Sequence, residues 1–112
     1  MTEEEFNKKN RTEKVKFLCS KRVIPIVEIP ATDWDGTISY TANVILPTKG
    51  DALDLTRDYY TIDERLQETN NSEHVAKVDN FIRLNSANSY YKAFDKAIKM
   101  AYYLFSNGLL LF

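Results

Sequence analysis

The spacing of apolar and polar residues predicts a helix, a strand hairpin, further strands and a long closing helix. Thr2-Glu3-Glu4-Glu5 has the T-x-x-E form of a capping box with acidic residues in the first turn, so a helix is expected from residue 3 to about Cys19. Phe6, Val15, Leu18 and Cys19 would share a narrow face, with Lys8, Lys9, Arg11, Lys14 and Lys16 left in water. So few apolar residues make a weak anchor, and residues 1–10 are expected to fray.

Val23-Ile24-Pro25-Ile26-Val27-Glu28-Ile29 is β-branched and suits a strand, and Pro25, which has no N–H, places it at a sheet edge or a strand end. From Thr37 to Leu46 the chain alternates. Ile38, Tyr40, Ala42, Val44 and Leu46 would line the covered face, and Thr37, Ser39, Thr41 and Asn43 the other. The turn-forming run Pro30-Ala31-Thr32-Asp33-Trp34-Asp35-Gly36 between them makes a hairpin the natural connection.

After a turn at Pro47–Asp51, Leu53, Leu55, Arg57 and Tyr59 alternate with Asp54, Thr56, Asp58 and Tyr60 as a third strand does. Thr61 would cap a short helical turn through Leu66, and Gln67 to Ser72 reads as a loop. His74 to Leu84 satisfies helix and strand spacing alike, and a fourth strand centred on Val78 to Leu84 is the reading adopted. The final helix follows the N-cap candidates of Asn85–Ser89. Tyr90, Tyr91, Phe94, Ala97, Ile98, Ala101, Tyr102 and Phe105 form its apolar stripe, with Lys92, Asp95, Lys96 and Lys99 opposite and Asn107-Gly108 as a stop signal. The fold class is α+β: an antiparallel sheet of three to four strands with an N-terminal helix and a long C-terminal helix packed on one face. Double-stranded-RNA-binding domains share that order of elements, without their recognition residues appearing in the loops here.

Composition narrows the classes. At 112 residues the chain is expected to be one domain, 1–112, ending in the apolar tail 109–112, and 44% hydrophobic with 12% aromatic residues is a folding composition. Cys19 is the only cysteine, so an intrachain disulfide and a Cys-rich zinc site lack their residues. The three glycines stand in no phosphate-cradling spacing. An acidic N-terminus and the lack of long apolar runs argue against a signal peptide and a membrane span, and a cytoplasmic protein with no membrane partner is expected. Plentiful Lys, Asn, Ile, Tyr and Phe suggest coding sequence rich in A and T, as in a low-GC bacterium or its phages.

Asp33-Trp34-Asp35-Gly36-Thr37 resembles the DxDGT signature of haloacid-dehalogenase-type phosphatases. The resemblance implies Asp33 as the nucleophile and Asp35 as the proton shuttle beside magnesium. It covers five residues, and Pro30-Ala31-Thr32 stands where that family has a buried parallel strand. An Asp/Gly hairpin loop with Trp34 folded over the sheet edge is the simpler reading. A Cys19 and His74 pair would need the fold to join them; Cys19 is expected to be a small buried hydrophobe and His74 an exposed loop residue. No catalytic residue, metal or cofactor is assigned, and the protein is expected not to be an enzyme.

Net charge is −1, but it is unevenly spread. Residues 1–22 hold seven basic and four acidic residues, or +3, and residues 23–68 hold three basic and nine acidic, or −6. The leading expectation is a small protein-interaction module that forms homo-oligomers and binds an unidentified protein partner. Its contacts would be Trp34 between Asp33 and Asp35, and the tail Leu109, Leu110, Leu111 and Phe112. A phage or mobile-element accessory protein, such as an inhibitor of a host system, fits this size and composition. The alternative is a nucleic-acid-binding module using Lys8, Lys9, Arg11, Lys14, Lys16, Lys21 and Arg22.

Overall fold

Asn10 divides the N-terminal segment into two helices where the spacing predicts one. Thr2 caps the first, α1 (Glu3–Asn7), by accepting the Glu5 N–H at 3.1 Å, and Asn10 caps the second, α2 (Arg11–Ser20), by accepting the Glu13 N–H at 2.9 Å. An asparagine that satisfies an orphan N–H restarts a helix, and the break redirects the chain. The structure, a computed structural model, describes residues 2–28, 31–32, 34–46, 74–78 and 81–107. The expected third strand at 53–60, the helical turn at 61–66, the polar loop at 67–72 and the tail 109–112 lie outside the described residues.

Helix α2 ends with Arg22 at φ 64°, the Arg22 N–H donating to the Cys19 carbonyl and the Val23 N–H to that of Leu18. This is a Schellman turn with arginine at the left-handed position that glycine usually takes. Leu18 and Val23, its two flanking apolar residues, are both fully buried. The turn delivers the chain into β1 (Ile24–Val27), followed by β2 (Ala31–Thr32), β3 (Ile38–Ser39), β4 (Ala42–Ile45), β5 (His74–Val78), β6 (Phe81–Leu84) and α3 (Tyr90–Ser106).

Four strands form an antiparallel sheet in the order β1-β4-β6-β5, and β2 pairs with β3 apart from it. The expected edge position of Pro25 is observed. Glu28 N–H donates to the Thr41 carbonyl at 2.8 Å, so by the period of two Ile24 and Ile26 also face β4, and Pro25 lies on the free side. Among the described strands β1 is the edge, and at Pro25 its outer side lacks a donor that an added strand would use. The expected single strand at 78–84 is instead a hairpin: Val78 pairs with Phe81, and the residues between are Asp79 and Asn80, types that favour turns. His74 therefore heads a strand, not a loop, opposite Leu84.

The expected strand from Thr37 to Leu46 is split in two. Ala42, Val44 and Leu46 are buried as the alternation requires, but Ile38 is 47% exposed because β3 leaves the sheet to pair with β2. Asn43, expected in water, is fully buried, and among the described residues neither its amide nitrogen nor its oxygen has a partner. Register steps by one residue between the Asn43–Arg83 pair and the Tyr40–Ala87 bridge, as a β-bulge does.

Helix α3 lies across β1 and β4, and α2 packs against α3 and β1. Its buried face consists of Ala93, Ala97, Ile98, Met100, Ala101, Tyr102 and Leu104, rotated from the expected stripe, with Tyr90 and Tyr91 turned to solvent. The three alanines let the helix approach the sheet closely, and Leu104, Val44, Ile82 and Leu84 are buried in the same core. Each such fully buried aliphatic side chain stabilises the fold by roughly 1.5–3 kcal/mol.

Candidate functional site

The β2–β3 pair is an arm built by local chemistry. At its tip the Asp35 carboxylate accepts the Thr37 N–H at 3.0 Å, and Gly36 takes φ +85°. Hydrogen bonds from Thr37 hold the Asp35 carboxyl below the usual carboxylate range. Apart from its chain neighbours, no described atom crowds the position a Cβ would take at Gly36, so backbone conformation favours glycine there. The closed turn presents Trp34 at 99% exposure, not folded over the sheet edge as expected. Asp33 lies outside the described residues, so no geometry joins it to Asp35.

The base of the arm is anchored. Tyr40 and Ala87 exchange two backbone hydrogen bonds of 2.9 Å, and the Thr41 and Ser86 hydroxyls meet at 3.1 Å. The Tyr40 ring then meets Tyr90 edge-on at 6.2 Å, and Tyr90 meets Tyr91 edge-on at 5.4 Å and stacks on Phe94 at 5.9 Å. Arg11 lies over Tyr91, 4.6 Å from the ring centre, and grips Asp95 with two hydrogen bonds of 3.0 and 3.1 Å. That carboxylate holds the Arg11 guanidinium still more firmly protonated than usual. A continuous aromatic track thus runs from the arm to the helices.

Beyond Arg11 an open groove of about 930 Å³ lies between α1, α2 and α3. Phe6, Ile98 and Tyr102 form its floor, and Arg11, Lys14 and Lys99 outnumber Glu3 and Asp95 on its walls. Its volume is that of a small-molecule or side-chain pocket. Lys14 Nζ sits 5.5 Å from the Phe6 ring centre, and Phe6 stacks on Tyr102 at 4.1 Å.

The seven basic candidates of the nucleic-acid reading all lie on or just after α1 and α2, at the surface or partly buried. Several also work within the chain: Lys8 pairs with Glu4 at 3.6 Å, Arg11 with Asp95, and Lys21 lies 5.7 Å from the Phe17 and Phe105 ring centres. Lys9 lies in the bend between α1 and α2, its N–H donating to the Phe6 carbonyl at 3.1 Å, Lys16 is exposed on α2, and Arg22 forms the Schellman turn. Of the leading set, Trp34 and Asp35 are on the arm, while Asp33, Leu109, Leu110, Leu111 and Phe112 lie outside the described residues.

Cys19 is exposed on α2, not buried as expected; Phe17 packs against the core in its place. His74 heads β5, at the sheet edge opposite β1, whereas α2 packs at the β1 side, so the fold gives no support to a Cys19–His74 pair. Among the described residues no group of three or more His, Cys, Asp or Glu side chains is placed to hold a metal ion. Among them, too, no helix is long and apolar enough to cross a membrane.

Reasoning from sequence missed the Arg11–Asp95 clamp and the exposure of Tyr90 and Tyr91. Adjacent helical residues point about 100° apart, so a Tyr-Tyr pair at a helix start was the available signal that one ring at least leaves the core. Comparison with protein families, with curated proteins and with solved structures finds no match.

Proposed function

We propose that this protein is a small non-enzymatic protein-interaction module that associates with itself through the Trp34 arm. The carrying observation is the tip: a fully exposed tryptophan on a turn already closed by Asp35, Gly36 and Thr37. A preorganised turn loses little conformational entropy on contact, and tryptophan is among the residues that contribute most when an interface buries them. Ile38, Tyr90 and Tyr91 are further exposed large side chains available to a partner.

Light scattering during size-exclusion chromatography, with absorbance at 260 and 280 nm, tests this reading. The wild-type chain is expected to elute at a multiple of 13.0 kDa and Trp34→Ala at the single-chain mass. Equal masses for the two would overturn the role of the arm. The exposed cations of α1 and α2 favour nucleic-acid binding as the second reading, which predicts excess 260 nm absorbance removed by salt.

A further inference from the structure

Helices α2 and α3 lie side by side and run in the same direction: Arg11 at the start of α2 meets Tyr91 and Asp95, and Lys21 just past its end approaches Phe105. Residues 11–22 hold five basic residues against one acidic, or +4, and α3 holds three against one, or +2. Residues 1–10, with three acidic and two basic, take back only one unit. The helices are thus strongly positive in a chain whose net charge is −1.

Two of these cations are held in place without being neutralised. Lys14 sits 5.5 Å from the Phe6 ring centre and Lys21 5.7 Å from those of Phe17 and Phe105, and an aromatic ring restrains an ammonium group without cancelling its charge. Among the described residues no carboxylate pairs with Lys14, Lys21 or Lys99, while Asp95, the one acid of α3, is answered by Arg11. Arg11, Lys14 and Lys21 form a row of about 15 Å along α2, at the helical rise of about 1.5 Å per residue. Lys99 lines the same groove as Lys14 from the α3 side. At the head of the row Tyr90 and Tyr91 leave 47% and 59% of their surface in water.

We infer that the face shared by α2 and α3 binds single-stranded nucleic acid, with Lys14, Lys21 and Lys99 taking phosphates and Tyr91 stacking on a base. The inference rests on the nucleic-acid reading of the N-terminal cations and adds to it α3, the tyrosine and the strandedness of the ligand. A row of positioned positive charges fits an anion that repeats, and an exposed ring fits a flat partner. A single strand offers both, whereas a duplex keeps its bases stacked on one another.

Fluorescence anisotropy of a labelled oligothymidylate, and of a duplex of equal length, is followed against protein concentration over a range of salt. The wild-type chain is compared with Lys14→Gln, Lys99→Gln, Tyr91→Ala and Tyr91→Phe, and circular dichroism checks that each is folded. The wild type is expected to prefer the single strand. Each lysine variant should flatten the logarithmic salt dependence by about 0.7, the contribution of one phosphate contact. Tyr91→Ala should weaken binding at least about fivefold with that slope unchanged, the smaller end of what one stacked base contributes, and Tyr91→Phe should keep wild-type affinity.

Equal affinity for the two probes, or no effect of Tyr91→Ala, would overturn the single-strand assignment. Binding that Lys99→Gln also leaves unchanged would confine the contact to the N-terminal helices and overturn the composite face. No binding of either probe at low salt would remove the nucleic-acid reading itself.

Discussion

Phe6 and Trp34 are both aromatic residues set among polar neighbours, and the molecule treats them oppositely. Phe6 is stacked on Tyr102 within a seam that also holds Phe17 and Phe105, where three helices meet. Trp34 sits at the tip of a two-stranded arm with no described layer over it. The difference teaches that aromatic content does not distinguish packing from presentation; the number of elements converging on a position does. The seam is tied by cations as well as rings, with Lys14 over Phe6 and Lys21 near Phe17 and Phe105. Those contacts give basic residues a structural use close to the surface.

The comparison breaks most visibly in the core. Leu104→Ala, which opens space on the buried face of α3, is expected to lower unfolding stability by about 2–5 kcal/mol in denaturant titration. A smaller, opposite effect is expected at Asn43, whose buried amide has no partner among the described residues. Asn43→Leu, similar in shape but apolar, should raise the denaturation midpoint by the equivalent of about 1–3 kcal/mol with an unchanged slope. An unchanged or lowered midpoint would show that the amide finds partners in solution.

Asn10→Ala removes the α2 cap and is expected to lower stability by about 1 kcal/mol, with loss of helical ellipticity. The seam should loosen at its N-terminal side. Trp34→Ala marks the other end of the scale: an exposed arm residue should change monomer stability by no more than about 0.5 kcal/mol while it abolishes assembly. A large stability loss there would mean that the arm is part of the fold, and the contrast with Phe6 would disappear.

Much of the architecture was legible along the chain. Thr2, Pro25 and Asn107 act within a few residues of themselves, as a helix cap, a strand-edge marker and a helix stop, and all three stand where their chemistry suggests. The Asp35-Gly36 turn was legible for the same reason. The candidate site was legible only at its tip. Nothing local announces that Arg11 will reach across 84 residues of chain to Asp95, or that the track will lead from the arm into a groove. The split of the first helix was missed because a single apolar face suits one long helix as well as two short ones, and Asn10 decides between them through one side-chain bond.

By itself the sequence determined the α+β class, the antiparallel pairing around Pro25, the closing helix and the turn that carries Trp34. Caps, periodicity and a missing N–H are short-range effects, and they act the same way whatever surrounds them. Only the tertiary structure decided that Asn43 is buried, that Cys19 is exposed, and that α3 turns its alanines inward and its first tyrosines outward. Burial is a property of segments distant in sequence that meet in space. The rotation of α3 follows from how closely its alanines let the helix approach β1 and β4, a fit the helix alone does not contain.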